Sequence, residues 1–421
     1  MTTSPSPSLT RAQWLVLLAA FLGWLFDGYE MGLLPVIARP AFKDILGAGA
    51  DDGDVGWWMG VATAGFLLGA AGGGAVFGWL GDRIGRVKSM ALSILCYSLL
   101  NGLGWFATEA WHLAAVRFLS GLGMGGQWSL AVALVMECWP ERWRPLLAGA
   151  IGAAANCGFL LVSLTAHLHV VTPQSWRWMM LVAAAPAFLC VFVILLVPES
   201  ERWRNAVAAA PVHPLREVFA PALRRRTLLG IAFASVALIG TWGSVQWLPL
   251  WANKMVTTAG GTPQEAGFAS ANVNMVQAFG AITGALVAPL LGSWIGRRAS
   301  YFAICLLSAA ICGTIFRTVT DYSTPFLLLA FLTSVTTASL YGWFPLYFPE
   351  LFPTRVRSTG QGVAFNTGRV FAAVGALTQG SLVASFDGSY ARAGAIVTLV
   401  YLLGIVLIWF APETKGRPLP E

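Results

Sequence analysis

Four charged side chains interrupt stretches that are otherwise apolar: Asp27, Glu30, Arg117 and Arg369. In a low-dielectric setting such charges are expensive, at least about 2.5–3.5 kcal/mol each on bilayer-insertion scales, so their retention points to function. Asp27 and Glu30 are three residues apart and share one face of a helix. Burial favours the neutral form of a carboxyl and a nearby arginine favours the charged form. An acid whose arginine contact changes with conformation would therefore take up and release a proton. Glu30 with Arg117 is the expected proton-coupling pair, with Asp27 as helper or alternate; a purely structural ion pair is the competing reading. Arg369 has a different chemistry available. A guanidinium grips a carboxylate through two parallel hydrogen bonds and stays charged at every relevant pH, which suits an anionic substrate. Bracing its own helix on backbone carbonyls is the rival role.

The remaining polar residues inside apolar stretches want partners, either a ligand or another helix. Gln127, Asn156, Gln246, Trp247, Tyr341, Trp343 and Asn366 are the lining candidates, with Trp242, Asn272, Asn274, Gln277 and Gln361 behind them. Catalytic chemistry is not indicated. There is no HExxH, no phosphate-binding loop, no GxSxG elbow and no paired nucleophile and base, which also excludes an ATP-driven pump. The six cysteines all fall in apolar runs without CxxC spacing and read as small core residues. His167-x-His169 reads as a solvated helix end rather than a metal site.

The elements that must hold these residues follow from composition. Of 421 residues, 57% are apolar and 11% charged, against about 45–50% and about 25% in a soluble domain. This is the balance of a polytopic membrane protein, and no soluble enzyme or disordered chain shares it. Stretches long enough to cross a bilayer, about 20 residues, begin near 13, 57, 89, 112, 145 and 176, and again near 227, 268, 299, 325, 357 and 389. The expectation is an all-α protein of twelve spans in two six-helix bundles, residues 1–197 and 227–421, joined by a polar cytoplasmic loop at 198–226. The first apolar run is too long for a signal-peptide core and reads as a retained span.

Basic residues concentrate on one side of this layout: Arg83, Arg86 and Lys88, Arg142 and Arg144, Arg224 to Arg226, Arg297 and Arg298, Arg355 and Arg357. The other side has only Arg39, Lys43, Arg177, Lys254, Arg317 and Arg392. By the positive-inside rule both termini are cytoplasmic, and the net charge of +7 needs no nucleic acid to explain it. With a rise of about 1.5 Å per residue, Glu30 and Arg117 lie roughly 12 and 10 Å below the external surface and could meet, while Arg369 lies roughly 18 Å from the cytoplasm.

The two halves repeat. Gly81-Asp-Arg-Ile-Gly-Arg86 returns as Gly292-Ser-Trp-Ile-Gly-Arg297, and Glu137-Cys-Trp-Pro-Glu-Arg-Trp-Arg144 as Glu350-Leu-Phe-Pro-Thr-Arg-Val-Arg357. ValProGluSer at 197–200 matches AlaProGluThr at 411–414. Two repeated bundles place a cavity at their interface near the bilayer midplane. Arg369 has Asn156 as its repeat partner, so the deep cation belongs to one half only.

Gly78-x-Leu-x-Asp82-Arg83-x-Gly85-Arg86-x-Lys88 resembles the loop signature of the major facilitator superfamily. Arg117-Phe-Leu-Ser-Gly-Leu-Gly-Met-Gly-Gly126, Glu137 and ProGluSer look like its sugar-porter and organic-ion branches. AspGlyTyrGlu (27–30), GlyMetGlyGlyGlnTrp (123–128), PheProThrArgValArgSerThrGlyGlnGly (352–362), AsnThrGlyArgVal (366–370) and ProGluThrLysGlyArgProLeu (412–419) are similar to the proton-coupled carboxylate and sialate symporters. The resemblance implies a secondary transporter that moves a small organic carboxylate with protons by alternating access in the cell (inner) membrane. It implies protons as coupling ion and no other cofactor, a monomer, a small anionic substrate and the lipid bilayer as partners. It also implies that GlyTyrGlu (28–30) couples protonation to Arg117, that the arginine on helix eleven contacts substrate, and that Asp82, Arg83, Arg86, Glu137, Arg144, Glu350 and Arg357 form a cytoplasmic latch. Two positions depart from the pattern. Gln127 stands where the sialate-like pattern has Glu, and Ser293 replaces the acid in the second loop copy, so only the first copy can make an acid-dependent latch. A sugar or polyol symporter is the nearest alternative, an organic-cation carrier the third, and a non-transporting nutrient sensor the alternative from another class.

Overall fold

The computed structural model describes residues 9–47, 49–168, 171–209 and 212–421; His169 lies outside them, as does the side chain of His167. Among the described residues the regular structure is helical. Eleven helices among the described residues are long and apolar enough to cross a membrane. The long helices in chain order are α1 (Arg11–Leu46), α2 (Asp52–Arg83), α3 (Arg86–Leu103), α4 (Ala110–Cys138), α5 (Arg144–Leu168) and α6 (Arg177–Leu196), followed by α7 (Arg224–Thr258), α8 (Pro263–Ile295), α9 (Arg297–Thr318), α10 (Thr324–Leu351), α11 (Arg357–Ala384) and α12 (Tyr390–Phe410). The one outside the eleven is α11. It has the length, but Gln361, Asn366 and Arg369 interrupt its apolar character.

Local chemistry sets the ends. Thr10 accepts from the Gln13 amide at 3.3 Å while the Gln13 side chain accepts from the Thr10 amide at 2.9 Å, a reciprocal cap that starts α1. Thr262 and Glu265 start α8 in the same way. The turns from α2 to α3 and from α8 to α9 pass through Gly85 (φ 108°) and Gly296 (φ 101°), a region of backbone space that side chains avoid. This is the physical reason both copies of the repeated loop carry glycine there. Within α7 the helix stops at Trp242 and resumes at Leu248 after a tight turn at Val245–Trp247.

The helices approach closely through small residues, as expected where lipid offers no hydrophobic drive between them. A Cβ on Gly69 or Gly73 of α2 would meet the carbonyls of Phe118 and Leu122 on α4. In the other half a Cβ on Gly284 of α8 would meet Val335 of α10. Gly28 of α1 lies on the backbone of Ala155 in α5, and Gly158 of α5 on the carbonyl of Leu25. That crossing fixes the two acids of α1, because Gly28 lies between Asp27 and Glu30. The halves meet where Gly78 of α2 faces Ser358 of α11 and Gly152 of α5 faces Gly342 of α10. The segment between α6 and α7 holds two short helices, Glu201–Ala209 and Pro214–Val218.

Candidate functional site

The four intramembrane charges are all buried: Asp27, Glu30 and Arg117 at 0% exposure and Arg369 at 3%. They divide into two unlike environments. Arg117 of α4 holds Glu30 of α1 twice, through Nη1 to the carboxylate Oε2 at 3.3 Å and through Nη2 to the Glu30 main-chain carbonyl at 2.9 Å. Asn101 of α3 completes the group. Its Oδ1 accepts from Arg117 Nη1 at 2.9 Å, and its amide nitrogen donates to Glu30 Oε2. The Arg117 guanidinium also lies over the Phe66 ring, 4.2 Å from the centroid. Glu30 is therefore bound to α3 and α4 at once.

Asp27, one turn away, has no hydrogen-bond donor on either oxygen. Arg369 lies within electrostatic reach of it, yet donates to the Met124 sulfur at 3.1 Å and sits 5.5 Å above the Phe365 ring. A thioether is a weak acceptor. Arg369 thus projects from α11 toward the α4 segment that carries Met124 and Gln127. Asn366, one turn earlier, donates to the Gly125 carbonyl at 2.9 Å. The amide of Gln127 is buried against Gly23 of α1, and neither of its polar atoms has a partner; the same holds for Gln361.

The other lining candidates disperse. Tyr341 is half-buried, with Phe344 and Phe365 each 6.3 Å away. Asn156 is half-buried on α5. Gln246 is exposed, and Trp247 packs on Tyr390 at 6.5 Å. Trp343 is fully buried in the second half. Its indole N–H donates to Ser300 Oγ at 3.0 Å, and its ring lies between Tyr301 and Tyr347 at 4.7 and 4.5 Å, all within the second half. It holds α10 to α9.

On the face that carries the basic loops, a second buried network joins the halves. Asp82, at the end of α2, accepts from the amides of Ser358 at 3.1 Å and Thr359 at 2.8 Å, the first turn of α11. A carboxylate there complements the partial positive charge of a helix N-terminus. Arg86 pairs with Asp82 at 2.6 Å and with Glu137 at 3.0 Å, and donates to the Thr354 carbonyl at 2.6 Å. Glu137 takes a second arginine, Arg357, at 2.8 Å. Arg357 in turn donates to the Pro420 carbonyl at 2.7 Å.

Three expected latch residues stand outside this network. Arg83 is exposed and lies over Trp79, 4.9 Å from its centroid, because it faces outward from the last turn of α2. Arg144 pairs locally with Glu141 at 2.8 Å. Glu350 is taken up inside its own half by Arg297 at 2.6 Å and Thr414 Oγ1 at 2.5 Å. Among the described residues Ser293 bonds only to the Leu290 carbonyl, at 2.8 Å, and makes no cap across the halves like that of Asp82.

The repeated ProGlu pairs have a role that the sequence did not disclose. Glu199 accepts from the amides of Arg86 and Val87, both at 3.1 Å, and Glu413 from those of Arg297 and Arg298, both at 3.0 Å. Each caps the third helix of its own half. Burial pushes the Glu199 carboxyl above its ordinary value despite these amides. Burial acts in the same direction on Glu413, but the amides of Arg298, Arg297, Lys415 and Thr414 outweigh it and hold the carboxyl below its ordinary value. Asn101, Met124 and Thr354 are further residues of these networks that sequence reasoning passed over. For Asn101 the signal was present, since it is an amide inside an apolar span.

The sequence pattern of the Major Facilitator Superfamily matches residues 15–258, and that of the sugar (and other) transporters matches residues 301–421. The chain belongs to the major facilitator superfamily. It is 30% identical to an inner membrane metabolite transport protein of Escherichia coli, over 100% of this chain and 96% of that one. It is 27% identical to a probable 4-methylmuconolactone transporter of Cupriavidus pinatubonensis, over 98% and 92%. The solved proton:xylose symporter XylE superposes with a TM-score of 0.76 at 19% identity, over 97% and 98% of the two chains, which fixes the fold alone. As a superfamily member the chain is a multi-pass transporter of small molecules and not an enzyme, and its fold is the twelve-helix arrangement.

Proposed function

We propose that this transporter is a proton-coupled symporter of a small organic carboxylate, working by alternating access in the inner membrane with its basic face in the cytoplasm. The observation that carries the substrate class is Arg369. It is a buried guanidinium whose hydrogen-bond acceptor is a thioether, in a position to offer its planar fork to a carboxylate. Relatives named for cis,cis-muconate, niacin, sialic acid and gentisate support an acid as cargo. The coupling proton is assigned to one of the two acids of α1, Asp27 or Glu30, with Arg117 as the fixed cation. The Asp82–Arg86–Glu137–Arg357 network serves as the cytoplasmic latch, so the structure is read as a state closed on that side. The functional unit is taken as a monomer of two bundles, 1–197 and 227–421, joined by 198–226.

One observation favours a second reading. The unpartnered amides of Gln127 and Gln361 would suit the hydroxyls of a neutral sugar or polyol, leaving Arg369 as a brace. Solid-supported-membrane electrophysiology on purified protein in liposomes, with an acidic outside, separates the two. The panel is niacin, cis,cis-muconate and gentisate, set against neutral sugars and organic amines. Inward current with an acid that disappears in Arg369→Ala is the expected result. Current with a neutral sugar that survives Arg369→Ala would overturn the carboxylate reading.

A further inference from the structure

Asp27 and Glu30 occupy the same helix face, yet only Glu30 has side-chain partners: its Oε2 is bonded, while its Oε1 and both oxygens of Asp27 are not. Glu30 has an arginine and an amide on one carboxylate oxygen and its main-chain carbonyl tied to the same arginine. Its ionised form has a counter-ion built into the fold. Asp27 is at 0% exposure with neither oxygen bonded. An isolated ionised carboxylate in such a place costs far more than a missing hydrogen bond, and the group takes a proton instead.

The groups facing Asp27 can be named helix by helix. α1 itself brings Glu30, already paired with Arg117 of α4. α3 brings the Tyr97 hydroxyl and α11 brings Arg369. α2 carries no charge between residues 55 and 81, and α5 none between 145 and 166. Among the described residues, Arg369 is thus the one cation within reach that is not already committed to a carboxylate, and Met124 and Phe365 hold it only weakly.

We propose that Asp27 and the substrate's carboxylate are alternative partners of Arg369. A proton on Asp27 leaves the guanidinium free to take the anion. When that proton passes to water on the cytoplasmic side, ionised Asp27 competes for the same donors and expels the anion. Glu30 stays ionised, neutralises Arg117 throughout and takes no proton in the cycle. This rests on the carboxylate-symport reading above, and it reverses the sequence expectation that Glu30 is the carrier and Asp27 the helper.

Two measurements on the full chain in lipid test it. The first needs no ligand. Infrared difference spectroscopy across a pH titration reads the stretching band of protonated carboxyls. The band should be present near neutral pH, shift when the chain carries 13C-labelled aspartate, vanish in Asp27→Asn and remain in Glu30→Gln. Should the Asn variant fail to fold, the isotope label still separates aspartate from glutamate, and an Asp82→Asn control removes the other fully buried aspartate. A band that follows Glu30, or no band at all, overturns the proposal. The second is binding of niacin, cis,cis-muconate and gentisate as a function of pH. Affinity should fall about tenfold per pH unit on the alkaline side, one proton per anion. That slope should be absent in Asp27→Asn and intact in Glu30→Gln. A slope that survives Asp27→Asn overturns the competition. If none of the acids binds at any pH, the carboxylate reading falls and the competition with it, while the infrared band still reports which acid holds a proton.

Discussion

Asp82 accepts the backbone amide of Thr359 at 2.8 Å across 277 residues of sequence, so a carboxylate on α2 caps a helix that belongs to the other half. Its second oxygen takes the Ser358 amide and the Arg86 guanidinium. Losing a side-chain cap typically costs about 0.5–2 kcal/mol. Here the cost falls only on the conformation in which the halves touch. Asp82→Ala should therefore move the population toward the state open on the basic face. Spin labels at Arg83 and Arg355, both exposed and outside the network, would report a longer distance distribution in the variant. An unchanged distribution would mean that the cap does not hold the halves together.

Glu137 neutralises two buried arginines, Arg86 and Arg357, that come from different halves. Removing one partner of a buried pair leaves an uncompensated charge, at about 3–5 kcal/mol. Glu137→Ala strands part of the charge of both arginines, although Arg86 keeps Asp82. Arg357→Ala strands none, because Glu137 retains Arg86. Melting of the two variants in detergent should rank Glu137→Ala well below Arg357→Ala, and Glu137→Ala/Arg357→Ala should recover part of the loss. Equal melting of the two single variants would contradict the shared-anion geometry.

The helical frame was legible because bilayer physics leaves few options, and α11 shows where that reading is strongest. Its length and its place in the repeat identify it as a span, while Gln361, Asn366 and Arg369 keep it from standing out by apolarity alone. The network on the basic face was partly legible: Asp82, Arg86, Glu137 and Arg357 meet, whereas Arg83, Arg144 and Glu350 spend their charges elsewhere. Sequence fixes which residues the loop contains but not the rotation of α2 that turns Arg83 outward. The packing of Trp343 was illegible for a related reason. α10 is apolar nearly all round, so no periodic stripe tells which face meets Ser300 and which meets the interface. Asn101 was visible as a type but not as a partner, because only the packing of α3 against α1 and α4 shows that it completes the Glu30–Arg117 pair.

The caps at Glu199 and Glu413 occupy equivalent positions but respond differently to pH. Glu413 is held below the ordinary glutamate value of 4.5. A lowered acid contributes stability that is fully present above its unfolded value and is lost as pH falls through its folded one. Thermal unfolding of the wild type should therefore lose stability relative to Glu413→Gln as pH drops below about 4.5, and the gap between the two should be constant above it. Glu199 is shifted upward, so its own contribution declines as pH rises above the ordinary value. A Glu413→Gln gap that widened on acidification would show the amides to be poorer donors than their 3.0 Å distances imply.

Arg117 touches three acceptors at once: the Glu30 carboxylate, the Glu30 carbonyl and Asn101 Oδ1. A guanidinium spans them because its donors are spread over a rigid plane, while a lysine ammonium concentrates three donors at one point. Arg117→Lys preserves the charge and loses the geometry, leaving at least one buried acceptor unpaired at about 1–3 kcal/mol. Asn101→Ala should cost a similar amount, since both Glu30 and Arg117 lose a partner. The two changes act on the same group of atoms, so their effects should not add. A double-mutant cycle of unfolding free energies in micelles should give a coupling of about 0.5–3 kcal/mol. Strict additivity would remove Asn101 from the cluster and leave Glu30 and Arg117 as an isolated pair. If the coupling is found, the position of Glu30 depends on α3 as well as α4, and any motion of α1 that releases it has to break both contacts together.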